Sequence, residues 1–447
     1  MSPANKAWFL LTFISAPGFF IHPASAVTLD EAARESLARH PAIAEAKARV
    51  EVAKAGLKAV EAGYEPSLTL SGGAVQGDNP QEGLGVKLLQ SRATTRDLQP
   101  DQLQDPRAYQ NVQGRLALNL SVHDPQRADR MEAARAQVRS AEENLRSVTQ
   151  DVLYQTIEQF YSLILARADA LVIQARIDES DDEIRDALAL KNQGLVLGSD
   201  YHFARAILGQ MKQAHVRAKS RIKTASAALN ITMGQPPAQA LEPTGRLDMD
   251  SPPISNPAIL LESLDRRPAR RATRERTAAA KRTLDAESKF GRPVITGFGQ
   301  MEENARSADQ HSNNYSIGLR LTSPIFDPSD HAREGLRKAE LKQVEAQADS
   351  VKDETELDFE RRLHEYDSLR EEIPVARQTL SESKEALAMF RKLYKSGKQS
   401  IADVLQAEQA LYQSHANLNR TYFEFRTAYA RLLLSAGKLE SVPAELK

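Results

Sequence analysis

The sequence predicts a mainly α-helical chain that contains one structural unit twice, with a β-hairpin inside each copy. Three observations support this fold class: motifs that recur at a fixed spacing, two pairs of segments in which apolar and polar residues alternate, and two helical patterns of about 70 residues. Each half therefore has the order helix, two strands, long helix, turn, helix.

A repeat divides the chain. The motif ESLARHP at 35–41 returns 227 residues later as ESLDRRP at 262–268. Past the second strand the offset is 203 residues, as Asp124 and Asp327 indicate. The same offset relates Gly194 to Gly397, Asp200 to Asp403 and Gly234 to Gly437. A period of this length indicates a duplicated unit, at 27–234 and 258–437, joined by a Pro-rich linker at 235–257 and followed by a tail at 438–447.

The first residues are typical of an export signal. Lys6 precedes the apolar run AWFLLTFISAPGFFI at 7–21, and ASA at 24–26 is an A-x-A cleavage site. We expect residues 1–26 to be a cleaved signal peptide. The alternative, an uncleaved anchor helix, fits less well because the apolar run is short and contains proline and glycine.

The composition excludes several kinds of site. With 59 Lys and Arg against 60 Asp and Glu, the chain has no general attraction for nucleic acid or acidic lipid. It has no cysteine, which excludes disulfides, thiolate metal sites and the lipidated cysteine of a lipoprotein. The basic stretch RRPARRATRER at 266–276 is interpreted as a solvated helix face, because an exported chain does not meet nucleic acid.

Catalytic motifs occur only as fragments. Ser381 to Lys384 matches S-x-x-K without the accompanying motifs, and Lys392 stands where a P-loop needs its first glycine. The nine histidines lack metal-binding spacing. We therefore expect a protein that is not an enzyme, holds no metal or cofactor, and does not couple energy itself.

Alternating segments predict strands at about 66–76, 111–123, 293–303 and 313–326. Such strands could cover an ordinary core, but no third or fourth strand follows in either half, and an isolated hairpin is marginally stable in water. The other use is a lipid-facing barrel wall with a wet interior. Because four strands cannot close a barrel, several chains must then pool their strands. The lipid-facing candidates are Leu116, Leu118, Leu120, Tyr315, Ile317 and Leu319.

Long helices are predicted at about 125–193 and 328–395, with return helices at about 199–234 and 401–437. A helix of this length extends about 100 Å, several times the thickness of a bilayer. A narrow apolar seam with alternating steps of four and three residues favours side-by-side helix packing. Its members are Val138, Ala141, Leu145, Val148 and Val152, with Leu341, Val344, Ala348, Val351 and Thr355 at the offset of 203.

These features resemble the TolC-like outer-membrane channel proteins of Gram-negative bacteria. The resemblance covers the mature chain and rests on the repeat order and two turn motifs, GLVLGSDYHFARA at 194–206 and SGKQSIADVLQAEQALY at 396–412. It implies a homotrimer with a twelve-stranded β-barrel in the outer-membrane lipid and a long periplasmic α-helical barrel. It also implies a passive exit duct of a tripartite efflux or type I secretion system, working with an inner-membrane transporter and a periplasmic adaptor protein.

By the same resemblance, the two turns close the periplasmic aperture. The positions that match the family's inter-helix links are Ser199, Asp200, Tyr394 and Gln399, and Asp403 is the counterpart of Asp200 in the second turn. A hydrogen bond from the Tyr394 hydroxyl to Asp200 is the expected contact. The alternative role for the two aspartates is as N-caps of the return helices.

The turns also depart from the family. Well-known members have an arginine in place of Gln399 and an aspartate in place of Gln406, so fewer charged links are expected here. The outer side of the turns is the expected docking surface for an adaptor. Its candidate residues are Gly194, Leu195, Val196, Gly397 and Lys398.

Two further segments have open roles. The change of offset from 227 to 203 places 24 extra residues in the first hairpin, whose connection at 77–110 is polar and rich in turn residues. We expect an extracellular loop that folds over the mouth; a ligand site is the alternative. The acidic segment DESDDEIRD at 178–186 is expected to face outward into solvent, whereas an inward orientation would favour cations.

A periplasmic adaptor is the alternative function. Adaptors also contain a long helical hairpin, but they carry domains of many short strands, whereas each half here has one long hairpin between helices. The exported substrate, whether drug, metal ion or protein, is not identified by the sequence.

Overall fold

Both halves of the chain build the same succession of helix, hairpin, long helix and return helix. The structure is a computed structural model that describes residues 25–104, 108–193, 197–247, 257–307, 310–443 and 446. The elements of the first half are β1 Ser25–Val27, α1 Leu29–Arg39, α2 Pro41–Ala62, β2 Ser67–Gly77, α3 Pro80–Leu89, α4 Pro100–Gln104, β3 Tyr109–His123, α5 Arg127–Asn192 and α6 Gly198–Thr232. The linker contains β4 Leu241–Pro243. The second half has α7 Pro257–Ser263, α8 Pro268–Glu287, β5 Val294–Ser307, β6 Gln310–Thr322, α9 Pro328–Lys395 and α10 Ile401–Ser435.

The duplicated Asp-Pro pair starts each long helix. Asp327 is the N-cap of α9, and its carboxylate accepts a hydrogen bond of 2.9 Å from the Ser329 backbone N–H, with proline at the first helical position. Asp124 accepts the equivalent bond of 2.8 Å from the Gln126 backbone N–H ahead of α5. The motif that revealed the repeat is therefore a helix-start signal after each hairpin.

The long helices pack against shorter helices of both halves. Helix α5 packs against α2 and α8 along the part next to the sheet and against α6 and α10 along its far part, while α9 packs against α8 and α10. At 66 residues, α5 is about 100 Å long. In the predicted seam Val152 and Thr355 are buried, and the other members are half-buried within one chain.

No helix in the described parts of the chain combines the length and the apolar character needed to cross a membrane.

The main core lies midway along the helices. Phe160 of α5, Phe359 and Tyr366 of α9 and Phe425 of α10 are buried there, and the Tyr366 and Phe425 rings stack at 5.2 Å. The C-terminal tail joins this core, because the Leu446 carbonyl accepts a hydrogen bond of 2.7 Å from a tyrosine hydroxyl of α5. Both halves are thus fixed together at one level of the rod.

The linker is tied to the N-terminal segment. Strand β4, within the linker, pairs in parallel with β1, and the Val27 carbonyl accepts hydrogen bonds from the Thr244 backbone N–H at 2.9 Å and hydroxyl at 3.1 Å. The predicted cleavage after Ala26 would leave Val27 and these two bonds in the mature chain. Residues 1–24 of the predicted signal peptide lie outside the described residues.

The two hairpins join into one antiparallel sheet with the strand order β2-β3-β5-β6. Leu118 of β3 lies opposite Leu68 of β2, and Met301 of β5 lies opposite Tyr315 of β6. Within the described residues, the outer edges of β2 and β6 pair with no strand. The sheet is therefore open at both sides.

The two faces of this sheet differ in polarity. The register places all six lipid-facing candidates on one face, where Tyr315 and Ile317 are each 82% exposed and Leu319 is 72% exposed. The opposite face carries polar side chains: Thr69, Ser71, Asn111, Gln113, Arg115, Asn119, Gln300, Glu302, Asn304, Ser312 and Asn314.

Candidate functional site at the inner tip

The second turn is built by local sequence signals. Helix α9 ends at Lys395, and Gly397 adopts φ +68°, a left-handed conformation that glycine reaches without strain. The Gly397 N–H donates to the Tyr394 carbonyl at 2.9 Å and the Lys398 N–H donates to the Leu393 carbonyl at 3.0 Å. This is the glycine-terminated helix end described as a Schellman motif, and it reverses the chain into α10.

Helix α10 starts with a capping box. Ser400 is the N-cap, its hydroxyl accepts from the Asp403 backbone N–H at 3.3 Å, and the Asp403 carboxylate accepts from the Ser400 backbone N–H at 3.1 Å. Hydrogen bonds from the Ser400 side chain and backbone lower the pKa of Asp403. The expectation that Asp403 is itself an N-cap is therefore wrong, because the serine three residues earlier occupies that position.

The first turn lacks this cap. Helix α6 starts at Gly198, and its N-cap is Leu197, whose side chain cannot accept a hydrogen bond. Asp200 lies in the first helical turn rather than at the N-cap, so the N-cap alternative is wrong for it as well. Leu197 occupies the repeat position of Ser400, which explains why Asp200 and Asp403 differ in their partners. Gly194, Leu195 and Val196, the docking candidates of this turn, lie outside the described residues.

The predicted gate residues only partly converge. Asp200, Tyr394, Gln399 and Gly397 line one groove of about 880 Å³ between the two turns, whereas Ser199 is exposed outside it. Gln399 also reaches Asp403, whose pKa it helps to lower. Lys398 is exposed on the second turn beside Gly397.

The expected hydrogen bond between Tyr394 and Asp200 is absent. The Tyr394 hydroxyl is buried and has no hydrogen-bond partner among the described residues. Burial and then the charge of Asp200 raise the pKa of Tyr394, so the two side chains are near each other without being bonded. This contact is therefore not formed within one chain, where packing of α9 on its neighbours buries the hydroxyl; as a link between copies it stays a prediction.

A charged cluster that the sequence did not indicate lies one helical turn farther from the tip than Tyr394. Arg391 of α9 contacts three glutamates: its Nη2 donates to Glu179 of α5 at 2.7 Å and to Glu408 of α10 at 3.1 Å, and its Nε lies 2.9 Å from Glu183 of α5. We call these four residues the tip clamp. Glu408 is only 4% exposed, so the guanidinium compensates a buried carboxylate. The tip clamp joins α9 to the other long helix, α5, and to the return helix α10.

The electrostatics of the tip clamp are unusual. Burial, and then the hydrogen bond and charge of Glu408, raise the pKa of Glu183 from 4.5 to about 8, while Arg391 acts in the opposite direction. Two carboxyl groups held near one guanidinium favour one shared proton over two full charges. The cluster therefore combines a permanent cation with a carboxyl group that titrates near neutral pH.

Apolar packing holds the tip clamp in place. Leu387 of α9, Ala204 of α6 and Val404 of α10 form a small buried cluster directly beside it, with Ile184 of α5 packed against them. Helices from both halves contribute to this apolar cluster. Movement of α9 away from α5 therefore separates the charges of the tip clamp and exposes the apolar cluster at the same time.

The acidic segment 178–186 has two faces. Asp182 and Arg185 pair on the exposed side, and Asp181 forms an ion pair of 3.3 Å with Lys212 of α6. Glu179 and Glu183, in contrast, face Arg391. The expectation of a solvated segment is wrong for Glu179 and Glu183, because they are four residues apart and share the helix face that packs on Arg391. For the exposed residues the outward orientation stays a prediction.

The architecture is that of a membrane channel subunit: an open, two-faced sheet continued by long paired helices. The chain matches the family model described as "Outer membrane efflux protein" over residues 32–235 and 259–438, and it belongs to that family. It is 23% identical over 329 residues to the outer membrane efflux protein BepC of Brucella suis biovar 1, covering 72% of each chain. It is 22% identical over 353 residues to the alkaline protease secretion protein AprF of Pseudomonas aeruginosa, covering 76% of this chain and 73% of the relative.

The fold matches solved structures over almost its whole length. It superposes on the outer-membrane channel OprN with a TM-score of 0.79 at 18% identity, covering 92% of this chain and 90% of OprN. The family and the shared fold confirm the predicted family, the mainly helical fold with its duplicated unit, and the location in the outer membrane. They decide against a periplasmic adaptor.

Proposed function

We propose that three copies of this chain form a passive exit duct, with a twelve-stranded β-barrel in the outer membrane and a helical tunnel in the periplasm. One observation supports this above all: the four-stranded sheet has an apolar face, a polar face and two unpaired edges. Exposed edges and a large apolar face are unfavourable in water. Pairing β6 of one copy with β2 of the next removes the edges and turns the apolar face toward lipid.

A periplasmic adaptor and an inner-membrane transporter are the proposed partners. One relative is named for efflux and the other for the secretion of a protease, so both kinds of export are compatible with this family. The exposed second turn at Gly397 and Lys398 is the part of the described tip that an adaptor would reach first. The substrate class stays open between small molecules and proteins.

The inner tip is proposed as the closed end of the duct. Gln399 carries no charge and cannot form an ion pair between the helices. The tip clamp supplies that ion pair instead, because Arg391, about two helical turns before Gln399 in the chain, bridges α5, α9 and α10. Asp200, Tyr394, Gln399 and Asp403 then shape the lower aperture around it.

The oligomer is tested by extracting the protein from outer-membrane fractions in mild detergent. We expect a trimer that resists SDS until heated and that conducts ions in a planar bilayer. Recovery as a soluble monomer without conductance would contradict the proposal.

The lipid-facing assignment gives a matched pair of substitutions. Leu118 lies on the apolar face and the adjacent Asn119 on the polar face of β3. We expect Leu118→Arg to cost about 2–4 kcal/mol, because the guanidinium would enter the lipid near the middle of the strand. The SDS-resistant oligomer should therefore melt at a lower temperature or fail to assemble.

The control for this substitution is Asn119→Arg, which places the same side chain in the wet interior. Its oligomer should melt close to the parent temperature. Equal destabilisation by the two substitutions would show that the sheet does not separate lipid from water.

A further inference from the structure

The connection between β2 and β3 lies across the polar face of the sheet. Asn79 caps α3, accepting a hydrogen bond of 3.0 Å from the Gln81 backbone N–H, and Pro80 occupies the first helical position. We define Asn79 to Arg92 as the exit lid. Because β3 runs from Tyr109 to His123 and then enters α5, its first residues are at the end of the sheet farthest from the helices. The exit lid is therefore at the outer mouth.

A chain of buried amides fixes the exit lid to two strands. Gln90 donates from Nε2 to Asn111 Oδ1 of β3 at 2.9 Å, and Asn111 donates from Nδ2 to Asn304 Oδ1 of β5 at 2.8 Å. Gln90 is 3% exposed and Asn304 is fully buried. Buried amides are costly unless they are hydrogen-bonded, so this chain favours one position of the exit lid over all others.

A second anchor reaches the far strand of the sheet. Ser91 has φ +55°, the only left-handed backbone among the described residues other than glycine, and its hydroxyl lies 2.8 Å from that of Ser312 on β6. The Leu89 carbonyl accepts a hydrogen bond of 3.1 Å from Asn314 Nδ2, also on β6. Both partners are on the polar face, so the exit lid extends from β3 to β6. Serine is strained at this φ where glycine would be relaxed, and what serine adds at this position is the hydroxyl contact with Ser312.

A third contact holds the start of the lid helix. Gly83 packs against the ring of Tyr109, and the Tyr109 hydroxyl donates to Glu82. Tyr109 shares the polar face with Asn111, two residues further along β3. The second hairpin has no counterpart, since β5 ends at Ser307 and β6 begins at Gln310.

We propose that three exit lids narrow the outer mouth of the duct and set the size of the solute that leaves it. This inference rests on the proposed barrel, in which the polar face becomes the wall of the water-filled lumen. An element anchored to that wall must occupy lumen cross-section. The exit lid then acts as a size filter at the opposite end of the duct from the tip clamp.

The test measures entry from outside, so that the state of the inner tip does not matter. The chain has no cysteine, and Asn119→Cys therefore places one thiol on the polar face about 27 Å below Asn111. Intact cells are treated with a small methanethiosulfonate reagent or with a poly(ethylene glycol) maleimide of several kilodaltons. We expect the small reagent to react and the polymer to be excluded. In a variant that also lacks residues 80–104, both should react.

Two point variants separate the exit lid from general loosening of the barrel. Gln90→Ala and Ser91→Gly each remove an anchor, and each should admit the polymer while the oligomer keeps its melting temperature. A polymer that enters the parent as fast as the deletion variant would overturn the size filter. Failure of the small reagent to react in every variant would instead overturn the barrel.

A disulfide between the exit lid and β6 tests the position of the exit lid directly. In a separate variant, Ser91→Cys with Ser312→Cys should form a disulfide on mild oxidation within the assembled oligomer, seen as loss of free thiol. The control pair Ser91→Cys with Ser316→Cys, which lies four residues or about 13 Å further along β6, should not. Equal thiol loss in both pairs would contradict a fixed exit lid.

Discussion

We expect Arg391→Met to open the inner end of the duct. Removing one partner of a buried ion pair typically costs about 3–5 kcal/mol, and because Arg391 is one-third exposed we discount this to about 2 kcal/mol. Because 1.4 kcal/mol corresponds to a tenfold change in an equilibrium constant, the ratio of open to closed tips rises about 30-fold per subunit. The measurement is the mean single-channel conductance of the purified protein in a planar bilayer.

A matched control and a rescue separate the tip clamp from charge in general. Arg185→Met removes an arginine from the same end of the rod, but its partner Asp182 is 70% exposed, so conductance should stay at the parent value. Arg391→Met combined with Glu408→Leu removes both charges and should close the tip again in part, since an apolar pair avoids the buried, uncompensated carboxylate. If the double variant conducts as much as Arg391→Met alone, the ion pair is not what holds the tip.

The gate residues predicted from the sequence provide a second comparison. Because Tyr394 makes no hydrogen bond to Asp200 within the chain, Tyr394→Phe with Asp200→Ala should raise conductance less than Arg391→Met does. A larger effect of the Tyr394 pair would favour the aperture below the tip clamp as the main barrier, through contacts between copies.

The sequence predicted what local rules determine. Alternating Leu116, Leu118 and Leu120 located a strand with one apolar face, and Gly397 marked a helix end because its left-handed conformation is favourable only for glycine. The Asp-Pro pairs located the starts of both long helices. In each case the signal and its partner lie within a few residues of each other, so one sequence is sufficient to detect them.

The tip clamp could not be predicted in this way. Arg391 corresponds in the repeat to Leu188, and Glu408 corresponds to Arg205, so the duplication gives no hint of it. Its members meet only because α5, α9 and α10 pack at one level, with Glu179 lying 212 residues before Arg391 along the chain. A buried partner for Glu408 could have been suspected from its place among Val404, Leu405 and Leu411, but not identified.

The exit lid was missed for a different reason. Its segment is polar and contains Gly83 and Gly85, which are weak helix formers, so a turn-rich loop was the natural expectation. Asn79 and Pro80 are a helix-start signal in retrospect. A side chain at 83 would approach the Tyr109 ring to 3.3 Å, a close contact that no local pattern reveals.

Conductance should rise with pH between about 6 and 8, with Glu183 as the titrating group. In the closed tip the pKa of Glu183 is raised from 4.5 to about 8, whereas in an open tip the hydrated Glu183 carboxyl group returns to its ordinary pKa of 4.5. Within this window the closed state binds the extra proton, so its stability is complete at acidic pH and is lost as the pH rises toward 8. Arg176, Glu179, Arg391, Tyr394 and Glu408 are ionisable groups around Glu183; of these, Glu408 acts with burial to raise its pKa and Arg391 lowers it.

Glu183→Gln isolates this titration, because a carboxamide keeps the hydrogen bond to Glu408 and stays neutral at every pH. We expect its conductance to remain low and to lose the pH dependence, while Asp182→Asn, on the exposed side of the same helix, keeps the slope of the parent. Linkage to one proton would ideally raise the ratio of open to closed tips tenfold per pH unit. Partial solvent exposure of the tip clamp reduces this effect, so we expect conductance to rise about threefold to tenfold between pH 6 and 8. A conductance that falls as pH rises, or an unchanged slope in Glu183→Gln, would mean that the shared proton does not hold α5 against α10.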